Sequence, residues 1–487
     1  MIRSILFFAL MPTLCLAQWL PLGNAIPGQT AGDRCGTSTA ISADGSIVAF
    51  GARDGNSNFG EVRVFRLSDG AWTQIGATLV GESGGDQTGS SVSLSHDGSV
   101  LAIGEPFNND LGYTSGQVRV FQNVNDNWLP LGQDLYGLNA IAEAGRSVDL
   151  SADGLTLAYG APNTTVNGAF FAGQVRVFEL QNNTWVQKGG DINGDGSIIK
   201  FGVNVTLSDD GNTIAIGQSG DPSNTNPEDT GRVKVYQFVG NQWIQLGNTL
   251  RGTAGRDEFG FTVRLSAAGN RVAIGSFAKS EVRVFDWVNG IWIPVGNTLV
   301  GNNLGDSFGF SLSLTGDGQY LAVGARFISL TNNDPGSVYV FKELGGNWVL
   351  IDTPIMGVAP GDQAGFSVAI SENGTRVVSS SIGNDDAGNN AGHIRIFENT
   401  AILRAEQPKD VDLFEVYPNP ATDNLTVRSP IEIQGLDVFT IEGKWVQHHA
   451  GSELKERSID LTGLSSGAYM LLLHTENGVS RYRILKN

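Results

Sequence analysis

The chain has 487 residues, 40% of them hydrophobic, with 65 glycines, two cysteines and a formal charge of −18. That length exceeds one ordinary hydrophobic core, so several domains or a repeat array are expected. The acidity excludes nucleic acid and anionic membranes as partners, because affinity for polyanions rests on Lys and Arg displacing counterions.

Residues 1–17 read as a secretory signal peptide. Arg3 supplies the positive end, Ile5 to Leu16 the apolar stretch, and Cys15-Leu16-Ala17 a small-x-small cleavage site. The apolar run is too short to span a bilayer, and no later segment reads as a transmembrane helix. Cleavage before Gln18 leaves Cys35 as the one cysteine, so an intramolecular disulfide is impossible. Cys35 stands where other repeats carry Phe, Ala or Thr, and a buried structural thiol is its expected role.

Trp19 opens a pattern that runs through most of the chain. Trp19, Trp72, Trp128, Trp185, Trp243, Trp292 and Trp348 recur every 49 to 58 residues, and most open a W-x-x-x-G segment. A fixed period of this size signals a repeat architecture. Three landmarks lie between successive tryptophans. The first is a stretch ending in Ser-x-Asp-Gly or a variant, as at 40–45, 93–98 and 149–154. The second is an apolar run, as at 47–52 and 100–105, and the third alternates, as at 60–65 and 116–121. Asp-Gly between two apolar runs favours a tight hairpin, so the first two landmarks are antiparallel strands A and B. Strand B is apolar at nearly every position, as expected of burial on both faces, while strand C alternates and has one wetter face. Strand D begins at the tryptophan.

Four antiparallel strands per unit, seven times over, predict an all-β fold: a seven-bladed β-propeller over residues 18–398. From Ile41 onward seven A–B–C sets follow, and only six have a D strand after them. The missing strand is the one at Trp19. The N-terminus is therefore expected to pair with the last C strand and close the ring, which removes exposed sheet edges. Residues 399–412 read as a linker, and 413–487 as short strands of a small Ig-like β-sandwich.

The segments 257–276 and 306–325, each followed by a G-x-V-x-V-F-like strand, resemble FG-GAP repeats, the propeller units of integrin α-chains and many bacterial surface proteins. Residues 86–98 and 362–374 match less fully. Integrin-type units carry a calcium loop between strands A and B. Here that place holds a tight Ser-x-Asp-Gly turn, so calcium does not carry over. The tail resembles the C-terminal sorting domain of type IX secretion substrates in Bacteroidetes. The carrying blocks are 416–427 with Tyr417, Pro418, Asn419 and Pro420, 438–446 with Gly443 and Lys444, and 459–473 with Gly467 and Tyr469, before the basic end 481–487. The resemblance implies the type IX machinery as a partner, export through the periplasm across the outer membrane, removal of the tail, and a released or surface-anchored product.

Asp191, Asn193 and Asp195 occupy positions 1, 3 and 5 of a calcium-loop pattern, the weak candidates for a metal or cofactor site. Gly202 stands where the twelfth-position Glu is needed, and a turn-forming linker is the competing reading. Asp33, Asp86, Asp257, Asp306 and Asp362 share one position before the glycine that opens strand A. Such a broken acidic ring suits cations or sugar hydroxyls at a channel mouth, while the plainer role is to accept backbone N–H bonds. No nucleophile, zinc or phosphate-loop motif stands out, and no catalytic residue is assigned. The B–C loops are long and varied, and alternating strand directions gather them with the D–A connections on one face. Variable loops on a rigid scaffold are where recognition resides. Phe107, Tyr113, Phe170, Phe171 and Phe327 supply aromatic surface there. The expected function is that of a monomeric, non-catalytic binding or adhesion protein for an extracellular glycan or protein. A polysaccharide lyase or hydrolase and a structural surface coat are the alternatives.

Overall fold

The computed structural model describes residues 19–219, 230–253, 257–302, 305–327, 334–399, 402, 415–428, 433–440, 445–450, 456–475 and 478–487. The signal segment and most of the linker lie outside these residues. The chain divides into two compact units, Met1–Ala401 and Ile402–Asn487.

The first unit contains seven five-stranded sheets, each built on an antiparallel A–B–C–D run. Its A–B turns show why Ser-x-Asp-Gly recurs. Ser42 Oγ donates to Asp44 Oδ1 (2.6 Å) and accepts the Ile47 N–H (2.9 Å), while Asp44 Oδ1 accepts the Ser46 N–H (2.8 Å). Ser95 with Asp97, Ser151 with Asp153 and Ser208 with Asp210 repeat the arrangement, and Thr315 with Asp317 preserves it. Strand B is buried throughout in Ile47–Ala52, Val100–Glu105 and Thr156–Ala161, as its apolar run requires.

Each sheet has one strand more than the sequence suggests. The D strand Asn127–Pro130 pairs with the distal half of Gln117–Val124, and a two-residue strand, Leu135–Tyr136, pairs with its proximal half. The physical cause is the glycine that ends W-x-x-x-G. Gly132 has φ +74°, which bends the chain and lets it rejoin the same partner. Short D strands, three of them ending in proline (Pro21, Pro130, Pro294), leave little edge for unwanted pairing.

The first and last strands of the first unit build one sheet. Trp19–Pro21 pairs antiparallel with His393–Asn399, with Trp19 opposite Asn399, and Ile26–Pro27 pairs with the start of the same strand.

The tryptophans join consecutive sheets. The indole Nε1 of Trp72, Trp128, Trp185, Trp243 and Trp292 donates to Leu22, Ile75, Leu131, Lys188 and Leu246 O, at 2.8–3.1 Å. Each acceptor lies three residues after the preceding repeat's tryptophan. The glycine beside it is the floor of the dock: a Cβ on Gly132 would sit 2.6 Å from Trp185 Cδ1. Asp352 Oδ2 accepts the Trp19 N–H at 2.9 Å, so the sheet made from the unit's first and last strands is joined to the one before it.

A second ring of bonds runs through the A–B turns. Ala43 N–H donates to His96 O, His96 to Ala152, Ala152 to Asp209, Asp209 to Ala267, Ala267 to Gly316, and Glu372 back to Ala43, at 2.8–3.0 Å. The remaining link runs from the Gly316 N–H to the Glu372 carboxylate. The sheets therefore close on themselves around a channel, as a β-propeller, and the apolar core lies in layers between adjacent sheets.

The second unit has a three-stranded sheet (Glu415–Tyr417, Asn424–Arg428, Glu456–Asp460) and a four-stranded sheet (Trp445–Ala450, Ile433–Thr440, Gly467–Thr475, Gly478–Lys486). Leu425, Val427 and Ile459 from the first meet Leu436, Val438 and Leu471 from the second in one core.

The indole dock makes Gly132 costlier to change than an equally left-handed glycine in open space. Gly290 has φ +89° and nothing within 4 Å of its would-be Cβ. Gly290→Ala should cost ~1–2 kcal/mol for the backbone alone. Gly132→Ala should add ~1–3 kcal/mol of overpacking against Trp185. Urea unfolding of both variants checks the difference, and equal losses would overturn the dock.

Candidate binding site at the wide channel mouth

Every A strand opens on a glycine whose backbone meets the preceding sheet. A Cβ on Gly51 would lie 1.9 Å from Gly89 O, and one on Gly104 would lie 2.0 Å from Gly145 O. Gly89 and Gly145 themselves sit at φ +83°. This close approach places the next residue of each repeat on the channel wall. In chain order these residues are Thr37, Ser90, Arg146, Val203, Phe261, Phe310 and Phe366, and all line a cavity of about 370 Å³.

The mouth is therefore unequal around its circumference. On one side Phe261 and Phe310 lie 5.3 Å apart and Phe310 and Phe366 5.1 Å apart, with Phe277 4.7 Å from Phe261. Arg326 lies over Phe310 at 4.1 Å. On the other side stand Arg53 and Arg146. Asp54 lies between Arg34 (3.4 Å) and Arg53 (3.5 Å). Glu143 interacts with Arg146 and Lys200, and Glu258 with Lys200 and Arg326. Burial raises the carboxyl pKa of Glu143 and Glu258, and it lowers that of the Arg53 and Arg326 guanidinium groups. Each shift reflects water withheld from the charged form.

Deeper in the channel, Asp149 accepts from Leu207 N–H (2.7 Å) and Ser93 Oγ (3.1 Å), and burial raises its pKa. Arg264 donates to Asn204 Oδ1 (3.1 Å) and is lowered by burial. The far end is the ring of A–B turns. There His96 Nε2 lies 3.5 Å from Asp209 Oδ1, and burial raises the pKa of Asp209 and Glu372 against the opposing influence of His96.

The acidic positions singled out in the sequence sit beneath the surface. Asp33 accepts from Gln29 N–H and Thr30 N–H (2.8 and 2.6 Å), Asp86 from Ser83 N–H (2.8 Å), and Asp257 from Thr253 N–H (2.7 Å). Asp306 accepts from Phe308 N–H (2.9 Å), and Asp362 from Val358 and Ala359 N–H (both 3.0 Å). All five are buried, and these contacts bind the D–A connection to its own sheet. The five loop aromatics do not converge. Tyr113 and Phe170 are exposed, Phe107, Phe171 and Phe327 are half-buried, and among the described residues no ring contact joins any two of them. Phe327 alone approaches the mouth cluster, through Arg326 at 4.8 Å.

Asp191, Asn193 and Asp195 do not form a loop. Ile192–Asn193 is a strand paired with Gln174–Val175. Asp191 accepts from Arg176 (3.2 Å) and Gln187 (2.8 Å), Asn193 from Gln174 (3.0 Å), and Asp195 pairs with Lys234 (2.8 Å). Positions 191, 193 and 195 alternate onto one face, but their oxygens there are taken up by side-chain donors, with Gln174 Nε2 bonding to both Asp191 (3.2 Å) and Asn193 (3.0 Å). Among the described residues no group of three or more His, Cys, Asp and Glu is arranged to hold a metal. Cys35 is buried, Arg63 Nη2 lies 3.4 Å from its sulfur, and burial pushes the thiol up to about 12.

In the tail, Asn419 Oδ1 accepts the Leu485 N–H (2.8 Å) and Tyr469 Oη donates to Ser465 O (2.9 Å). Tyr417 and Arg428 approach at 5.9 Å, and Pro418 and Pro420 follow cis peptide bonds. Gly467 opens the strand that carries Tyr469. Gly443 and Lys444 lie outside the described residues.

Residues 302–341 match the FG-GAP repeat, and residues 415–487 match the secretion system C-terminal sorting domain. The chain carries an FG-GAP repeat and a secretion sorting tail. That tail implies export to the cell surface or beyond. No helix among the described residues is long and apolar enough to cross a membrane. No curated protein matches the chain in sequence. Among solved structures, the chain is similar to hydrazine synthase of Kuenenia stuttgartiensis, at 13% identity and TM-score 0.48, covering 80% of this chain and 99% of that one. It is also similar to the periplasmic gluconolactonase of Pseudomonas aeruginosa, at 16% identity and TM-score 0.48, covering 85% and 98%. A candidate 6-phosphogluconolactonase of Bacteroides uniformis superposes at 11% identity and TM-score 0.49, covering 85% and 99%. At these values the likeness says nothing about the chemistry of this chain.

The seven wall positions were not singled out from sequence as a site. Their signal was available: one register position reads Thr, Ser, Arg, Val, Phe, Phe, Phe while its glycine neighbour is unchanged.

Near this mouth, Glu105 is fully buried against Arg119, whose Nε lies 2.6 Å from Oε1. Burial pushes the Glu105 carboxyl up to about 7, opposed by Arg119 and reinforced by Asp86 and Glu82. Its folded value exceeds the unfolded one, so its contribution to stability is full below about 4.5 and is lost as pH rises through about 7. The melting temperature should fall between pH 5 and 8, and Glu105→Gln should flatten that slope. An unchanged slope in the variant would contradict the assignment.

Proposed function

We propose that the chain is an exported, monomeric, non-catalytic binding protein: a seven-bladed propeller closed by its N-terminal strand, followed by an Ig-like sorting sandwich. Its recognition face is the B–C and D–A side, and the ligand is an extracellular glycan or protein. The observation that carries this reading is the unequal mouth. Repeats that share the same glycine before this position differ at the wall residue that follows it, which faces a ligand-sized cavity. Three adjacent phenylalanines there offer stacking surface, and arginines opposite them offer directed hydrogen bonds. The buried aspartates Asp33, Asp86, Asp257, Asp306 and Asp362 support the face from beneath, and the loop aromatics Phe107, Tyr113, Phe170, Phe171 and Phe327 extend it outward.

The purified full chain should capture ligands on a combined glycan and protein array without converting them. Phe310→Ala together with Phe366→Ala should weaken capture at least tenfold at an unchanged melting temperature. Release of product from any captured glycan would overturn the non-catalytic reading.

The tail is read as an address for the type IX machinery, removed after export. The elements carrying that role are Tyr417-Pro418-Asn419-Pro420, Gly443, Lys444, Gly467 and Tyr469. Deleting residues 415–487 should leave the protein in the periplasm. Normal surface delivery of the truncation, measured by fractionation, would refute the role.

A further inference from the structure

We propose that the wide mouth receives the acidic end residue of a polysaccharide, a sugar ring bearing a carboxylate or a sulfate. This rests on the mouth-binding reading above and names the class of ligand. The first support is charge. In a chain of net −18, the described residues of the mouth gather Arg34, Arg53, Arg146, Lys200 and Arg326 around Asp54, Glu143 and Glu258. Each of those carboxylates already serves two cations, so the rim keeps positive charge unspent. Guanidinium groups present paired N–H donors that match carboxylate and sulfate oxygens.

The second support is shape. Phe261, Phe310 and Phe366 form a half-buried apolar wall across the cavity from Arg53 and Arg146. A pyranose has an apolar C–H face and a polar rim, and it satisfies both walls at once. Thr37, Ser90 and Ser367 hydroxyls line the same cavity for the sugar's own hydroxyls. An acidic peptide would satisfy the cations but set a polar backbone against the phenyl wall.

The third support is depth. At its far end the channel is encircled by the ring of A–B turns, where Asp209 and Glu372 stand. A threaded polyanion would be repelled by these carboxylates, which favours a chain end at the mouth.

Calorimetric titration of the full chain with trigalacturonate, O-sulfated galactotriose, galactotriose and a triglutamate peptide tests this. At least one charged sugar should bind tenfold or more tighter than galactotriose, and its affinity should fall as salt rises. Which charged sugar binds identifies carboxylate or sulfate as the source. Arg53→Gln and Arg146→Gln should each weaken the charged sugar about tenfold and weaken galactotriose far less, with the chain still folded. Phe310→Ala should weaken charged and neutral sugars alike. Equal affinity for galactotriose would overturn the acidic class while leaving mouth binding intact. Binding of triglutamate alone would overturn it in favour of a peptide. Silence from all four probes would also overturn it, and the array then decides mouth binding separately.

Discussion

The architecture of the larger unit depends on one contact repeated around the ring: an indole of one sheet seated on the W-x-x-x-G glycine of the sheet before it. At Trp72, Trp128, Trp185, Trp243 and Trp292 the indole N–H satisfies a carbonyl at the bend. The absent Cβ leaves room for the ring. Each dock fixes both the spacing and the twist between two sheets. A buried polar group satisfied in this way is worth more in specificity than in net energy. The A–B turns add a second ring of backbone bonds at the other radius. With two rings of constraint, successive sheets have little freedom to move past each other.

That rigidity explains where variation is tolerated. The glycines at the A–B sheet contacts admit no side chain, because backbone of one sheet lies against backbone of the next. The residue after each glycine lines the channel. There the repeats diverge, with hydroxyls and arginine in the first three units and phenylalanine in the last three. The rim charges then follow from burial. Partly desolvated arginines hold half-buried carboxylates between them, and among the described residues cations outnumber acids where the cavity opens. A surface that is acidic overall is thereby locally complementary to an anion.

The tail obeys different constraints. Its core joins two small sheets, and its short apolar strands carry no tryptophan dock. Its ordered contacts, such as Asn419 with the Leu485 N–H, hold the motif-bearing turn to the last strand.

Much of the fold was legible in the residues alone. Strand B announced its burial through an unbroken apolar run, the hairpins through Asp-Gly, and the pairing of the N-terminus with the last C strand through a tryptophan lacking a repeat before it. The sorting tail was legible in its blocks. The fifth strand was not, because two residues carry no period, and only the backbone bend at Gly132 reveals where the chain returns. The shared aspartates could be aligned, but whether they face solvent or their own backbone depends on a loop path that composition does not encode. The aromatic loop residues were read from their type, yet convergence is a matter of distance. Residues far apart in sequence, from Arg53 to Phe366, become one mouth only when the ring closes. The sequence by itself determined the repeat, its strands and its export tail, because those are local patterns. The tertiary structure decided the site, because a site is a relation between repeats.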